Sequence, residues 1–142
     1  MNQNENGHVG TCHCGAVRFR MQGELAAGGS HCNCSVCTKV NAFGRLLKPE
    51  EFELLAGEGN LTSYEWGHRV SRRYFCKNCG VTCFGRGHLA ELGGDFVSIN
   101  LNCLDGVELS ELKVVYWDGR HDNWEAGARD EPWPVLGSAS PS

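Results

Sequence analysis

The sequence predicts a mainly β fold in a single domain, and three observations carry that reading. The chain has 142 residues, the size of one ordinary domain. Glycine is abundant at 19 residues while proline supplies only 4, which suits a turn-rich β protein better than a helical one. Short apolar runs bounded by glycines recur along the chain, and helical periodicity is scarce.

Residues 1–7 read as a polar N-terminal tail, 8–128 as the domain and 129–142 as a loosely ordered C-terminal tail. Val17, Phe19 and Met21 alternate with Arg18 and Arg20, the pattern of a half-buried strand. Residues 23–30 form a small-residue loop, 35–41 suit a helical turn, and 43–47 read as a strand stopped by Pro49. Residues 52–55 and 61–66 look like two strands joined across Gly57 and Gly59. A strand over 69–75 runs into one cysteine pair and 81–84 leaves it, a hairpin with that pair at its tip. Phe96, Val97, Ile99 and Leu101 mark a further strand, and 112–117 another.

Composition also excludes functions. Thirteen Lys and Arg against 17 Asp and Glu give a net charge of −4, which invites neither nucleic acid nor an anionic membrane. The longest apolar stretches, 54–56 and 114–117, fall far short of the roughly 20 residues a spanning helix needs. Residues 1–10 are polar, with no basic start and no apolar run, so no secretory signal is expected. The expectation is a soluble, cytoplasmic domain.

The nine cysteines are the most informative feature: Cys12, Cys14, Cys32, Cys34, Cys37, Cys76, Cys79, Cys83 and Cys103. An odd count without a secretory signal argues against a disulfide framework. Seven fall in tight clusters, and cysteines two or three apart converge on one ion more readily than they form a disulfide. Soft thiolates in tetrahedral sets point to zinc, with iron the lesser choice.

Gly15 follows Cys14 and Gly80 follows Cys79. A glycine there takes a positive φ and lets backbone N–H groups face the sulfur, as in a zinc knuckle. Cys12, Cys14, Cys76 and Cys79 are therefore paired as one closed, structural four-thiolate site. Cys32, Cys34 and Cys37 remain, three ligands within six residues. Three ligands with one open position describe a catalytic zinc. A second structural zinc closed by Cys83, Cys103 or a histidine is the alternative.

Other residues receive plainer readings. His13 and His31 are local hydrogen-bond partners, and Cys83 and Cys103 are buried core. Lys39, Arg45 and Arg72 form exposed salt bridges, with a substrate carboxylate as the alternative partner. Trp66, Trp117 and Trp124 serve as core or pocket wall rather than as a base-stacking platform.

The motifs have a familiar order. Gly10-Thr11-Cys12-His13-Cys14-Gly15-Ala16-Val17-Arg18-Phe19 comes first, followed by His31-Cys32-Asn33-Cys34-Ser35-Val36-Cys37-Thr38-Lys39 and then Tyr74-Phe75-Cys76-Lys77-Asn78-Cys79-Gly80. Together they closely resemble the family of glutathione-dependent formaldehyde-activating enzymes, also called the GFA/CENP-V family. Asn102-Cys103-Leu104-Asp105-Gly106 and Trp117-Asp118-Gly119-Arg120 also look like its smaller members. The sequence departs from many members at Val40-Asn41-Ala42, where a glycine is common.

The resemblance implies an Mss4-like β fold with two zinc ions, a structural one at Cys12, Cys14, Cys76 and Cys79 and a catalytic one at Cys32, Cys34 and Cys37. It implies a zinc-dependent carbon–sulfur lyase acting on a thiol–aldehyde adduct or a related small sulfur compound, as in formation of S-(hydroxymethyl)glutathione. The partner would be a small thiol or thiol adduct such as glutathione, with no nucleic acid and no membrane. Zinc there would either deprotonate the bound thiol or polarise the aldehyde oxygen. A noncatalytic zinc module that binds another protein is the competing class.

Overall fold

The computed structural model describes residues 7–65 and 71–137. Residues 1–6, 66–70 and 138–142, including Trp66 and the start of the strand expected from residue 69, lie outside the described residues.

Among the described residues the chain runs as β1 (Gly7–Thr11), β2 (Arg18–Gln22), β3 (Gly29–Cys32), α1 (Ser35–Val40), β4 (Gly44–Leu47) and β5 (Phe52–Ala56). It continues as β6 (Leu61–Glu65), β7 (Ser71–Cys76), β8 (Thr82–Leu89), β9 (Gly94–Asn100) and β10 (Val114–Trp117). A three-stranded sheet has the order β1-β2-β5, and a seven-stranded sheet the order β10-β3-β4-β9-β8-β7-β6. The β10–β3 pair is parallel and the other pairs are antiparallel. This is the mainly β, Mss4-like architecture that the sequence predicts.

One core joins the two sheets. On and beside β2, Val17, Phe19 and Met21 are fully buried while Arg18 is exposed, as the alternation requires. The Phe19 ring stacks on Phe52 at 5.7 Å and meets Phe84 of the larger sheet at 6.5 Å. Opposite Phe19, Gly10 leaves the ring its space, because a Cβ there would overlap it. Val97, Ile99 and Leu101 complete this layer, and Cys83 and Cys103 are buried within it. Burying such side chains out of water is the main favourable term in folding.

The structure differs from the sequence reading in several places. Strand β1 lies in a stretch that shows no apolar alternation. Residues 29–30, read as loop, open β3, whose partner β10 is more than 80 residues away. Gly29 fits there because a Cβ would overlap Leu101. The strands on either side of Gly57 do not pair with each other: β5 joins β2, and β6 joins β7 in the other sheet. Gly57, at φ +93°, makes that crossing against the backbone of Ala16 and Val17, where no side chain fits.

Residues 129–134 are held against β10. Tyr116 and Arg129 exchange backbone hydrogen bonds at 2.8 and 3.0 Å, and Trp133 Nε1 donates to the Tyr116 carbonyl at 2.9 Å. The Arg129 guanidinium lies 3.8 Å over the Trp133 ring.

Candidate metal centres

The β1–β2 turn brings Cys12 and Cys14 against Cys76, the last residue of β7, and Cys79 in the turn that follows. All four sulfurs lie within 4.8 Å of one another. Cys14 Sγ is 3.6 Å from Cys12 Sγ and 3.7 Å from Cys76 Sγ. The two turns share a backbone design. The Cys12 amide donates to the Val17 carbonyl at 3.1 Å and the Cys76 amide to the Val81 carbonyl at 3.0 Å. Gly15 and Gly80 take φ +85° and +79°, the left-handed geometry that sharp turns of this kind require.

These turns aim N–H groups at sulfur. Val17 N–H donates to Cys12 Sγ at 3.3 Å. The Val81 amide, with that of Cys14, pulls the Cys79 thiol down to about 6. At Cys14 the Ala16 amide acts in the same sense, yet the crowded neighbours, Cys12 first, push this thiol up to about 11. Four sulfurs this close cannot all ionise without a cation among them. A soft, tetrahedral divalent ion suits that donor set.

The second cluster is built differently. Cys32 ends β3, Cys34 immediately precedes α1, and Cys37 sits within that helix. Their sulfurs also lie within 4.8 Å of one another, and all three residues are half-buried. No fourth Cys, His, Asp or Glu ligand atom joins them among the described residues. Cys83 and Cys103 do not close this set. They contact one another, and the charges acting on Cys83 are those of Cys103 first and then of Cys12 and Cys76 in the first cluster. Cys34 is pulled down to about 2, first by Cys32 and Cys37, with the Cys37 amide and the Arg73 charge assisting against burial. Cys37 is pushed far up by Cys32 and Cys34, with burial adding to them. This donor set also fits a thiophilic cation.

A loop following β10 straps over the cluster. Asn33 is 8% exposed, and its Nδ2 donates to Asp118 Oδ1 at 2.8 Å and to the Pro134 carbonyl at 3.2 Å. In return Arg120 N–H donates to Asn33 Oδ1 at 2.9 Å, and Arg120 Nε to the Asn33 carbonyl at 2.9 Å. Gly119 faces the Cys32 sulfur so closely that a Cβ would overlap it, and the same Cβ would stand 2.9 Å from the Trp124 ring. Trp117 and Trp124 lie 5.9 Å apart, and a pocket of about 570 Å³ is lined by His121, Asp122, Asn123, Trp124 and Glu125.

The remaining residues singled out from the sequence fall as follows. His31 is stacked between Phe43 at 5.1 Å and Tyr116 at 5.8 Å, with Nδ1 2.8 Å from the Ala42 carbonyl. Arg72 pairs with Glu65 at 3.1 Å, and Arg45 donates to the Glu24 carbonyl. Arg73 is the residue the sequence reading missed: its Nη2 donates to Cys37 Sγ at 2.9 Å. The available signal was strand periodicity, which sends adjacent arginines to opposite faces.

Comparisons with known proteins agree with this arrangement. Residues 7–118 match the family model described as glutathione-dependent formaldehyde-activating enzyme, a span that contains both cysteine clusters. The structure is also similar to the crystal structure of a Rhodobacter sphaeroides protein solved as a structural-genomics target. The two share 29% sequence identity at a TM-score of 0.65, over 77% of this chain and 98% of that one. Among the described residues no helix is long and apolar enough to cross a membrane.

Proposed function

The chain belongs to the glutathione-dependent formaldehyde-activating enzyme family, and from that premise we propose that it is a zinc-dependent carbon–sulfur lyase. The reaction joins a thiol to a small aldehyde, or releases them from the adduct, with S-(hydroxymethyl)glutathione as the type substrate. The observation that carries this reading is the set Cys32, Cys34 and Cys37, three convergent sulfurs without a fourth protein ligand among the described residues. Three protein ligands suit a metal that must also take a substrate atom, whereas four suit one that holds the fold together.

In this reading two zinc ions bind per chain. Cys12, Cys14, Cys76 and Cys79 hold the structural ion, and Cys32, Cys34 and Cys37 hold the catalytic one. Zinc supplies a means of keeping a substrate thiol ionised at neutral pH, or of polarising the aldehyde oxygen. In the forward direction the thiol sulfur forms a bond to the carbonyl carbon, and its proton ends on the new hydroxyl. The chain contributes placement. The Asn33–Asp118–Arg120 hydrogen bonds fix the backbone beside Cys32, and Trp124 walls one side. The cytoplasm, where thiols stay reduced, is the proposed compartment.

Exchange NMR on formaldehyde with glutathione, cysteine or 2-mercaptoethanol tests the proposal, because it reads adduct formation and breakdown against the spontaneous rate. A purified, zinc-loaded protein should accelerate exchange with at least one of these thiols. Exchange no faster than background with all three would remove the lyase reading and favour a zinc module that binds another protein.

A further inference from the structure

The Cys37 sulfur has a cationic neighbour that ligand chemistry alone does not require. Arg73 Nη2 donates to it at 2.9 Å, and it does so from a rigid position. Arg73 sits inside the seven-stranded sheet, paired with Tyr64 of β6 on one side and Gly85 of β8 on the other. Its sequence neighbour Arg72 turns the other way and is engaged by Glu65 at 3.1 Å. The sheet thus delivers one guanidinium to the three-cysteine cluster.

Three thiolates around a divalent ion leave one net negative charge. An anionic fourth ligand would double that charge, which a partly buried site tolerates poorly. The Arg73 guanidinium cancels the first negative charge, so that an incoming thiolate restores one instead of raising the total to two. We propose that Arg73 is a positioning and specificity residue: it fixes Cys37 and sets the charge of the three-cysteine centre so that the centre accepts an anionic thiolate. This inference rests on the proposed lyase reading and names the ionic form of the substrate at that site.

The test uses the full chain with cobalt(II) in place of zinc, so that ligand exchange at the three-cysteine centre is read in visible absorption without turnover. Wild type, Arg73→Met and Arg73→Lys are titrated at one fixed pH with 2-mercaptoethanol, which binds as a thiolate, and with imidazole, which binds neutral. Arg73→Met should weaken thiolate binding by about tenfold or more while changing imidazole binding far less. Arg73→Lys, which keeps the charge, should recover most of the thiolate affinity. Equal effects of Arg73→Met on both ligands, or none on either, would overturn the proposal. Should Arg73→Met not hold a second metal, metal content of Arg73→Lys decides: retention supports the charge role, and loss overturns it.

The outcomes separate this inference from the function beneath it. A wild-type centre that takes up no thiol at all sinks both. Uptake of thiol by wild type and Arg73→Met with equal affinity sinks the role of Arg73 alone. Thiolate uptake that depends on Arg73 but brings no exchange catalysis supports the role and sinks the lyase reading.

Discussion

Arg73 and Cys76 stand three residues apart on β7, yet Arg73 reaches the Cys37 sulfur at 2.9 Å while Cys76 lies 3.7 Å from the Cys14 sulfur. One strand therefore touches both cysteine clusters. β7 is an interior strand, hydrogen-bonded to β6 and β8, so its ends cannot shift independently. Whatever anchors Cys76 also fixes the place from which Arg73 extends.

The four-cysteine cluster should be indispensable to the fold. Cys79→Ser opens the closed four-sulfur site and leaves Cys76 as the one ligand tying the β7–β8 hairpin to the β1–β2 turn. Structural zinc contributes on the order of 10 kcal/mol in small domains, close to the whole stability of a domain this size. The variant should be aggregated or unfolded by circular dichroism, and the second metal should leave with the first because β7 carries Arg73. A soluble Cys79→Ser protein that melts cooperatively with two zinc ions bound would contradict this.

The three-cysteine cluster should behave in the opposite way. Cys32→Ser, Cys34→Ser and Cys37→Ser change half-buried residues outside the core that joins the two sheets. Each variant should keep its β spectrum and lose one of two zinc equivalents, because two thiolates hold zinc poorly. Catalysed exchange of thiol–aldehyde adducts should fall to near background. Wild-type rates in all three would place the chemistry elsewhere.

The two clusters were legible in the sequence because ligand spacing is local: Gly15 and Gly80 mark the turns, and the remaining three cysteines lie within six residues. β2 was legible for a similar reason, since its buried face alternates cleanly with arginines. What surrounds the second cluster was not. Asn33 meets Asp118 and Arg120 only because β3 pairs in parallel with β10, a contact that no local pattern announces. A bulge on β8 also breaks the period of two: Tyr74 pairs with Phe84 and Phe75 with Thr82, leaving Cys83 unpaired. Cys83 and Phe84 are consequently both buried, although they are adjacent. Asn41 ends α1 at φ 54°, a left-handed residue where glycine would be ordinary.

Gly119 offers a way to disturb the second cluster without altering a ligand. Its hydrogen points at the Cys32 sulfur, and a methyl group there would overlap that sulfur and crowd the Trp124 ring. Gly119→Ala should therefore displace Cys32 from the other two sulfurs. Chelator competition should show one zinc released at least about tenfold more readily and the other unchanged, since a small displacement of one ligand spoils tetrahedral geometry. Equal retention of both ions in variant and wild type would mean that the loop yields instead of the sulfur.

Asn33 should act on the same centre through the backbone. It lies between Cys32 and Cys34, is 8% exposed, and links Asp118, Arg120 and Pro134 through its side chain. Removing that amide leaves the Arg120 N–H and the Pro134 carbonyl short of a partner, a loss of about 1–3 kcal/mol for a buried polar group. The loop carrying Gly119 and Trp124 then loses the side-chain part of its tie to the segment that carries the ligands, while the Asn33 N–H to the Trp117 carbonyl and Arg120 Nε to the Asn33 carbonyl remain. Asn33→Ala should lower the melting temperature by several degrees and speed zinc release from the three-cysteine centre. Asn33→Asp is the informative companion, because it keeps the shape but sets a second carboxylate beside Asp118 where Asn33 Nδ2 donated at 2.8 Å. If the amide acts by donating to that carboxylate, Asn33→Asp should destabilise the loop more than Asn33→Ala does. Hydrogen exchange across residues 117–124 would measure the difference, and faster exchange in the alanine variant would show that packing, and not the hydrogen bond, holds the strap.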